Sequence, residues 1–183
     1  MALPGLRLRP RLRLGRDERG AVAVEFALIL PMMLVMCFGV VELTQLVRAN
    51  MKVHAAAQTV AQLVAQQSDV NATSMANYCY AGQLVVVPML TGSSLKVAVA
   101  SVTNIAGAVN QDWQDTTCGG ATAMGGTAAM AAGMVNNAND SVIIATATYT
   151  YTSAITYVLA SSFHLSQTVY ARPRGTSVPI VHN

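Results

Sequence analysis

Residues 21–41, AVAVEFALILPMMLVMCFGVV, form an apolar run with one ionisable side chain, Glu25. At about 1.5 Å of rise per residue, such a helix spans roughly 31 Å, close to the thickness of a bilayer's hydrocarbon core. A helix lying on a soluble core keeps a polar face, and this run has none. It therefore reads as a transmembrane helix, and the remaining residues of the 183-residue chain suit one further domain of ordinary size. Pro31 inside the run removes its own N–H and clashes with the carbonyl of Ala27. A kink or a short unwound stretch is expected there, tolerated when neighbours satisfy the freed carbonyl.

Charge gives the helix a direction. Six of the eleven basic residues, Arg7, Arg9, Arg11, Arg13, Arg16 and Arg19, precede the run, and with Asp17 and Glu18 they leave the first twenty residues at +4. The other 163 residues carry −1. The positive-inside bias puts the N-terminus in the cytoplasm and everything after Val41 outside. No basic patch is left on the remainder to serve nucleic acid, so a nucleic-acid partner is not expected. Charged residues make up 10% of the chain against about 25% in an average soluble domain. With 53% hydrophobic residues, this excludes a chain that is disordered throughout.

The run is not read as an ordinary secretory signal. It exceeds the usual 7–15 apolar residues, and the nearest small-residue pattern, Ala55-Ala56-Ala57, lies well beyond it, after Arg48 and Lys52. Met36 is too large to precede a lipidated cysteine, so Cys37 reads as an apolar membrane residue.

The start of the run is distinctive. Arg16-Asp17-Glu18-Arg19-Gly20 is a charged leader ending in glycine. Ala21-Val22-Ala23-Val24-Glu25-Phe26 follows, with its only acid five residues after that glycine. The arrangement resembles the processing site of type IV prepilins. More closely, RGAVAVEFALILPMMLVMCFGVVEL resembles the TadE-like minor pseudopilins of the Tad (tight adherence) pilus system. The resemblance covers about residues 16–48: Gly20, Glu25, Pro31 and a second acid, Glu42, at the outer end. Val169-Tyr170-Ala171-Arg172-Pro173-Arg174 is similar to the closing segment of many members. The resemblance implies an inner-membrane subunit of a Tad-type pilus, cut between Gly20 and Ala21 by a prepilin peptidase. Its partners would be other pilus subunits and the Tad machinery, and its roles pilus biogenesis and adherence. Major subunits of this pilus type are far shorter, so the extra domain implies a minor component.

Elementary chemistry agrees with that implication. Glycine at a scissile bond lets a peptidase approach the backbone, and it resists helix formation just before the helix. Cleavage would expose an α-amine on Ala21, one helical turn from Glu25, or within reach of Glu25 of an adjacent subunit. A carboxylate near hydrocarbon is costly unless paired, and that amine is a partner. The alternative is an uncleaved, signal-anchored envelope protein whose outer domain binds a surface partner.

The expected fold class is α+β: a long N-terminal transmembrane helix, extended into the periplasm and packed against a small antiparallel β-sheet head. The expected divisions are a basic cytoplasmic leader (1–20), the membrane helix (21–41), its extracytoplasmic extension (42–67) and the head (68–183). Residues 43–67 contain no Gly or Pro. They place Leu43, Leu46, Val47, Met51, His54, Ala57, Val60, Ala61 and Val64 on roughly one face, to pack on the head or on neighbouring subunits. Ser68-Asp69-Val70-Asn71 marks a stop. Residues 84–87, 95–103, 141–151 and 165–171 read as strands. Residues 154–162 read as a short helix or a loop. The Gly/Ala-rich stretch 119–133 reads as a mobile surface loop, with 127–135 a possible short helix.

Cys79 and Cys118 are the only cysteines outside the apolar run, in a compartment that permits oxidation. A bond between them would close a loop of about 40 residues and stabilise the head by roughly 3–4 kcal/mol. His54, His164 and His182 lack metal-ligand spacing, so no metal or cofactor is expected, and His182 reads as solvated. Asp112 and Asp115 flank Trp113 in a pattern that could bind a sugar or calcium. The reading adopted is a solvated loop with Trp113 tucked into the sheet. Ser161-Ser162 lacks the glycines of a nucleophile elbow, and no catalytic constellation is assembled, so enzymatic activity is not expected.

Overall fold

The computed structural model describes residues 18–88, 95–153, 162–174 and 180–183. The basic leader to residue 17, and residues 154–161 of the segment read as helix or loop, lie outside the described residues. The chain divides into two compact units, Met1–Phe38 and Gly39–Asn183.

In the first unit the described residues belong to α1, a helix of 48 residues, Glu18–Ala65, that also supplies the start of the second unit. It is the one helix among the described residues long and apolar enough to cross a membrane. The helix begins two residues before Gly20 and runs through Pro31 without interruption. Glycine therefore does not hold off the helix, and no unwound stretch forms at the proline. Residues 20–38 are all exposed, as an apolar helix destined for lipid requires.

The second unit is α+β. A short strand β1 (Asp69–Val70) leads to α2 (Ala72–Val86), followed by β2 (Lys96–Ile105), β3 (Ala108–Cys118), α3 (Thr127–Ala131), β4 (Ser141–Thr152), β5 (Ser162–Ala171) and β6 (Val181–His182). Four strands form an antiparallel sheet in the order β3-β2-β4-β5, and β1 pairs with β6 in parallel. Of the expected strands, 95–103 falls in β2 except for Leu95, which stands just before it, and 141–151 and 165–171 fall in β4 and β5. Residues 84–87 do not form a strand: they close α2 up to Val86, with Val87 as C-cap. The deciding signal is at the other end. Asn71 accepts from the Ser74 backbone N–H, while the Ser74 hydroxyl accepts from Asn71 N–H, a reciprocal cap that commits the following residues to helix.

Residues 39–65 of α1 pack on one face of the sheet. Ala49, Val53, Ala56, Ala57, Val60, Ala61 and Val64 are buried against Val97, Val99, Ile143, Ala145 and Ala147. Of the expected stripe, Ala57, Val60, Ala61 and Val64 are buried, but Leu43, Val47, Met51 and His54 are exposed. The buried face is rotated because alanines supply the contacts: a small side chain lets helix and sheet approach, whereas Leu and Met would hold them apart. The same logic applies between the helices. A Cβ on Gly82 would lie 2.7 Å from Val60 Cγ2, so α2 reaches α1 only with glycine there.

The far face of the sheet is covered by the Gly/Ala-rich stretch. Ala131 and Val135 pack on Val102, Val142 and Ile144, so the second half, where α3 (Thr127–Ala131) falls within the expected short helix, is a packed cover, while residues 119–126 are mostly exposed.

Candidate assembly sites on the N-terminal helix

In the first unit Gly20, Ala21, Glu25 and Pro31 lie on an exposed stretch of α1. Ala21 and Glu25 are one turn apart, about 6 Å along the axis. A Cβ placed on Gly20 meets nothing within 4 Å, and its φ is not in the left-handed region. Nothing within the described fold requires glycine at position 20. Cys37 is a free cysteine, exposed on the same apolar stretch.

In the second unit, the part of α1 following the apolar run carries Glu42. This carboxylate is buried, with 2% of its surface accessible. Tyr151, at the end of β4, donates its hydroxyl to Glu42 Oε2 at 3.1 Å. Burial pushes the Tyr151 phenol above its ordinary value of 10.0, and the hydrogen bond and the charge of Glu42 push it the same way. Glu42 was visible in the sequence as a second acid, but nothing local points to Tyr151 as its partner.

Further contacts set the direction of this part of α1. Gln167 Nε2 on β5 donates to Asn50 Oδ1 at 2.8 Å, and Arg174 N–H donates to the carbonyl of Ala65 at 3.0 Å. Tyr151 pairs with Phe163 across β4 and β5. Residues 42, 50 and 65 of the helix therefore follow residues 163, 167 and 174, and the helix runs parallel to β5.

Cys79 on α2 and Cys118 at the end of β3 are bonded, with their Cα atoms 5.5 Å apart. The bridge ties α2 to the edge of the sheet, as the cysteine arithmetic anticipated.

The QDWQD segment is part of β3 and not a loop. Asp112 Oδ2 accepts from the hydroxyls of Ser101 and Thr103 at 3.0 and 2.6 Å. Asp115, itself buried, accepts from the backbone N–H and hydroxyl of Thr117. Trp113 Nε1 donates to the carbonyl of Ile180, and His182 Nε2 lies 3.3 Å from Asp115 Oδ2. His182 is thus held rather than solvated, because β6 brings it back against β3. Both acids are engaged by the chain's own donors. No group of three or more metal-ligating side chains assembles among the described residues.

Residues 20–62 match the family model described as TadE-like protein, the family the sequence resembles. The matched stretch begins at Gly20 and ends inside α1, so the sheet lies outside it. No curated protein and no solved structure matches the chain.

Proposed function

From a chain whose residues 20–62 are TadE-like, we propose a pilin-like minor subunit of a Tad-type pilus assembly system, cut after Gly20 by a prepilin peptidase and needed for pilus biogenesis and adherence. The observation that carries the reading is the setting of Gly20. Glycine stands where the described fold leaves room for any side chain, at the junction of a charged leader and an exposed apolar helix with Glu25 one turn in. A requirement from outside the chain, such as a protease that must reach the backbone, accounts for it.

The leader acts as an anchor. With it attached, lifting the helix outward would drag a segment of net charge +4 into hydrocarbon, at about 2.5–3.5 kcal/mol or more for each central arginine. After cleavage, the Ala21 amine and the Glu25 carboxylate remain, and each can neutralise the other. The helix then becomes transferable from bilayer to filament. The arginine bias favours a cytoplasmic N-terminus with the head on the other side of the membrane, and the TadE-like resemblance makes that membrane a bacterial inner membrane and the far side the periplasm. The head is a binding and assembly module and not an enzyme.

Expression with and without a prepilin peptidase, followed by intact-mass and N-terminal analysis, tests this. A mature chain beginning at Ala21 only when the peptidase is present is the expected result. Gly20→Leu should insert normally and stay uncut. Unchanged processing of that variant, or a wild-type chain that keeps its arginines beside active peptidase, overturns the reading in favour of an uncleaved envelope protein.

A further inference from the structure

From β1 into the first turn of α2 the chain reads Asp69-Val70-Asn71-Ala72-Thr73. Asn71-Ala72-Thr73 is an Asn-x-Thr triad without proline at its centre, the acceptor pattern for a glycan on an asparagine side chain. The sequence holds one other such triad, Asn139-Asp140-Ser141. The structure separates the two. Asn139 is exposed, but Ser141 opens β4 with only 7% of its surface accessible. A transferase reads the amide and the hydroxyl together, and at Ser141 the hydroxyl is out of reach. Asn71, Ala72 and Thr73 are all exposed.

Helix capping accounts for part of this segment and leaves part of it over. Asn71 is the N-cap of α2, with φ −134° and ψ 172°, and its Oδ1 accepts from the Ser74 N–H at 2.9 Å. The cap uses the oxygen alone. Asn71 Nδ2 and the Thr73 hydroxyl make no hydrogen bond among the described residues. Thr73 is a weaker helix former than alanine, and no hydrogen bond offsets that at its exposed position. Asp69, exposed two residues before Asn71, adds a negative charge by which a cationic cleft can hold the segment.

We propose that Asn71 is a glycosylation site, its side-chain amide taking an oligosaccharide from a lipid-diphosphate donor through a membrane oligosaccharyltransferase. This rests on the reading that the head is exported, and not on cleavage after Gly20. Nδ2 attacks the anomeric carbon of the first sugar. The C1–Nδ2 bond forms, and the bond from C1 to the diphosphate oxygen breaks. The lipid diphosphate leaves with that electron pair, and one Nδ2 proton passes to a base of the transferase. The product is still an amide, so Oδ1 keeps its bond to the Ser74 N–H and α2 keeps its cap. The head therefore folds around the modified residue as it does around the bare one. The Asn183 N–H bond to the Val70 carbonyl comes from much later in the chain, so the acceptor segment passes the transferase before that bond can form.

Peptide mapping by mass of the full chain, purified from cells that naturally make it, tests the site. The peptide holding Asn71 should carry sugar mass on that residue, and the peptide holding Asn139 should be bare. Three variants keep the fold and break the triad. Asn71→Asp retains the capping oxygen and loses the amide nitrogen. Ala72→Pro suits the first helical position and the extended Asn71 before it, yet proline is forbidden at the centre of the triad. Thr73→Ala favours the helix and removes the hydroxyl. All three should lose the sugar completely, while Thr73→Ser keeps it. Sugar that survives in any of the three, or a bare Asn71 in wild-type chains whose Cys79–Cys118 bond is formed, overturns the proposal and leaves export standing. Free thiols at Cys79 and Cys118 on a bare chain refute export and the site together. Sugar on Asn71 of chains that keep the arginine leader upholds the site and refutes the cleavage.

Discussion

Tyr151 donates its hydroxyl to Glu42 at 3.1 Å although the two residues are 109 positions apart in the chain. The bond fastens the end of β4 to α1 just beyond the apolar run. A hydrogen bond to a charged acceptor is worth about 1.5–3 kcal/mol. Tyr151→Phe should therefore lower the unfolding free energy of the detergent-solubilised chain by about that amount.

The same pair predicts a pH dependence. The folded-state value of Tyr151 is raised above 10.0, chiefly by burial and then by Glu42, so folding favours the neutral phenol. Its stabilising contribution is complete below pH 10.0 and is lost as pH rises through the folded value. Denaturant titrations above pH 10 should show wild-type stability falling more steeply than that of Tyr151→Phe. Parallel curves would mean that the phenol is not differentially bound.

Removal of the Cys79–Cys118 bridge should cost the head roughly 3–4 kcal/mol, the loop-closure entropy of about 40 residues. Cys79→Ser with Cys118→Ser, compared with wild type by chemical unfolding, measures it. Non-reducing peptide mapping of the exported wild type should yield one linked fragment holding both cysteines. Two free thiols would contradict the bridge.

Gly82→Ala places a methyl group 2.7 Å from Val60 Cγ2 at the contact of α1 and α2. Overpacking of this kind costs about 1–3 kcal/mol, against a helix-propensity gain of at most about 1 kcal/mol. The variant should melt below wild type. In a double-mutant cycle, Val60→Ala should cost less in the Gly82→Ala background than in wild type, since the new methyl fills part of the space that the lost methyls leave.

Glu25→Gln keeps the size of the side chain and removes its charge. Membrane levels and processing to Ala21 should stay at wild-type values, while association with other pilus subunits weakens. Co-purification of tagged wild-type and Glu25→Gln chains with the pilus machinery provides the measurement. Equal recovery would show that the amine–carboxylate pairing plays no part in assembly.

By itself the sequence determined the features that depend on neighbours along the chain. The apolar run, its arginine leader, the Gly20–Glu25 spacing and the α+β class are read from composition and period, because a membrane helix or an alternating strand is specified by its own residues. The cysteine pair was legible by elimination. Residues 84–87 are four apolar, mostly β-branched residues that suit either strand or helix, and the reciprocal cap at Asn71 that settles them lies at the far end of α2. The helix stripe was rotated because alanine is a weak signal of burial, although it makes the contact with the sheet. Tertiary structure alone decided what long-range packing brings together: Tyr151 onto Glu42, His182 onto Asp115, and α1 alongside β5. These pairs are joined by strand register and chain reversal, and such contacts leave no periodicity in either partner's own stretch of sequence.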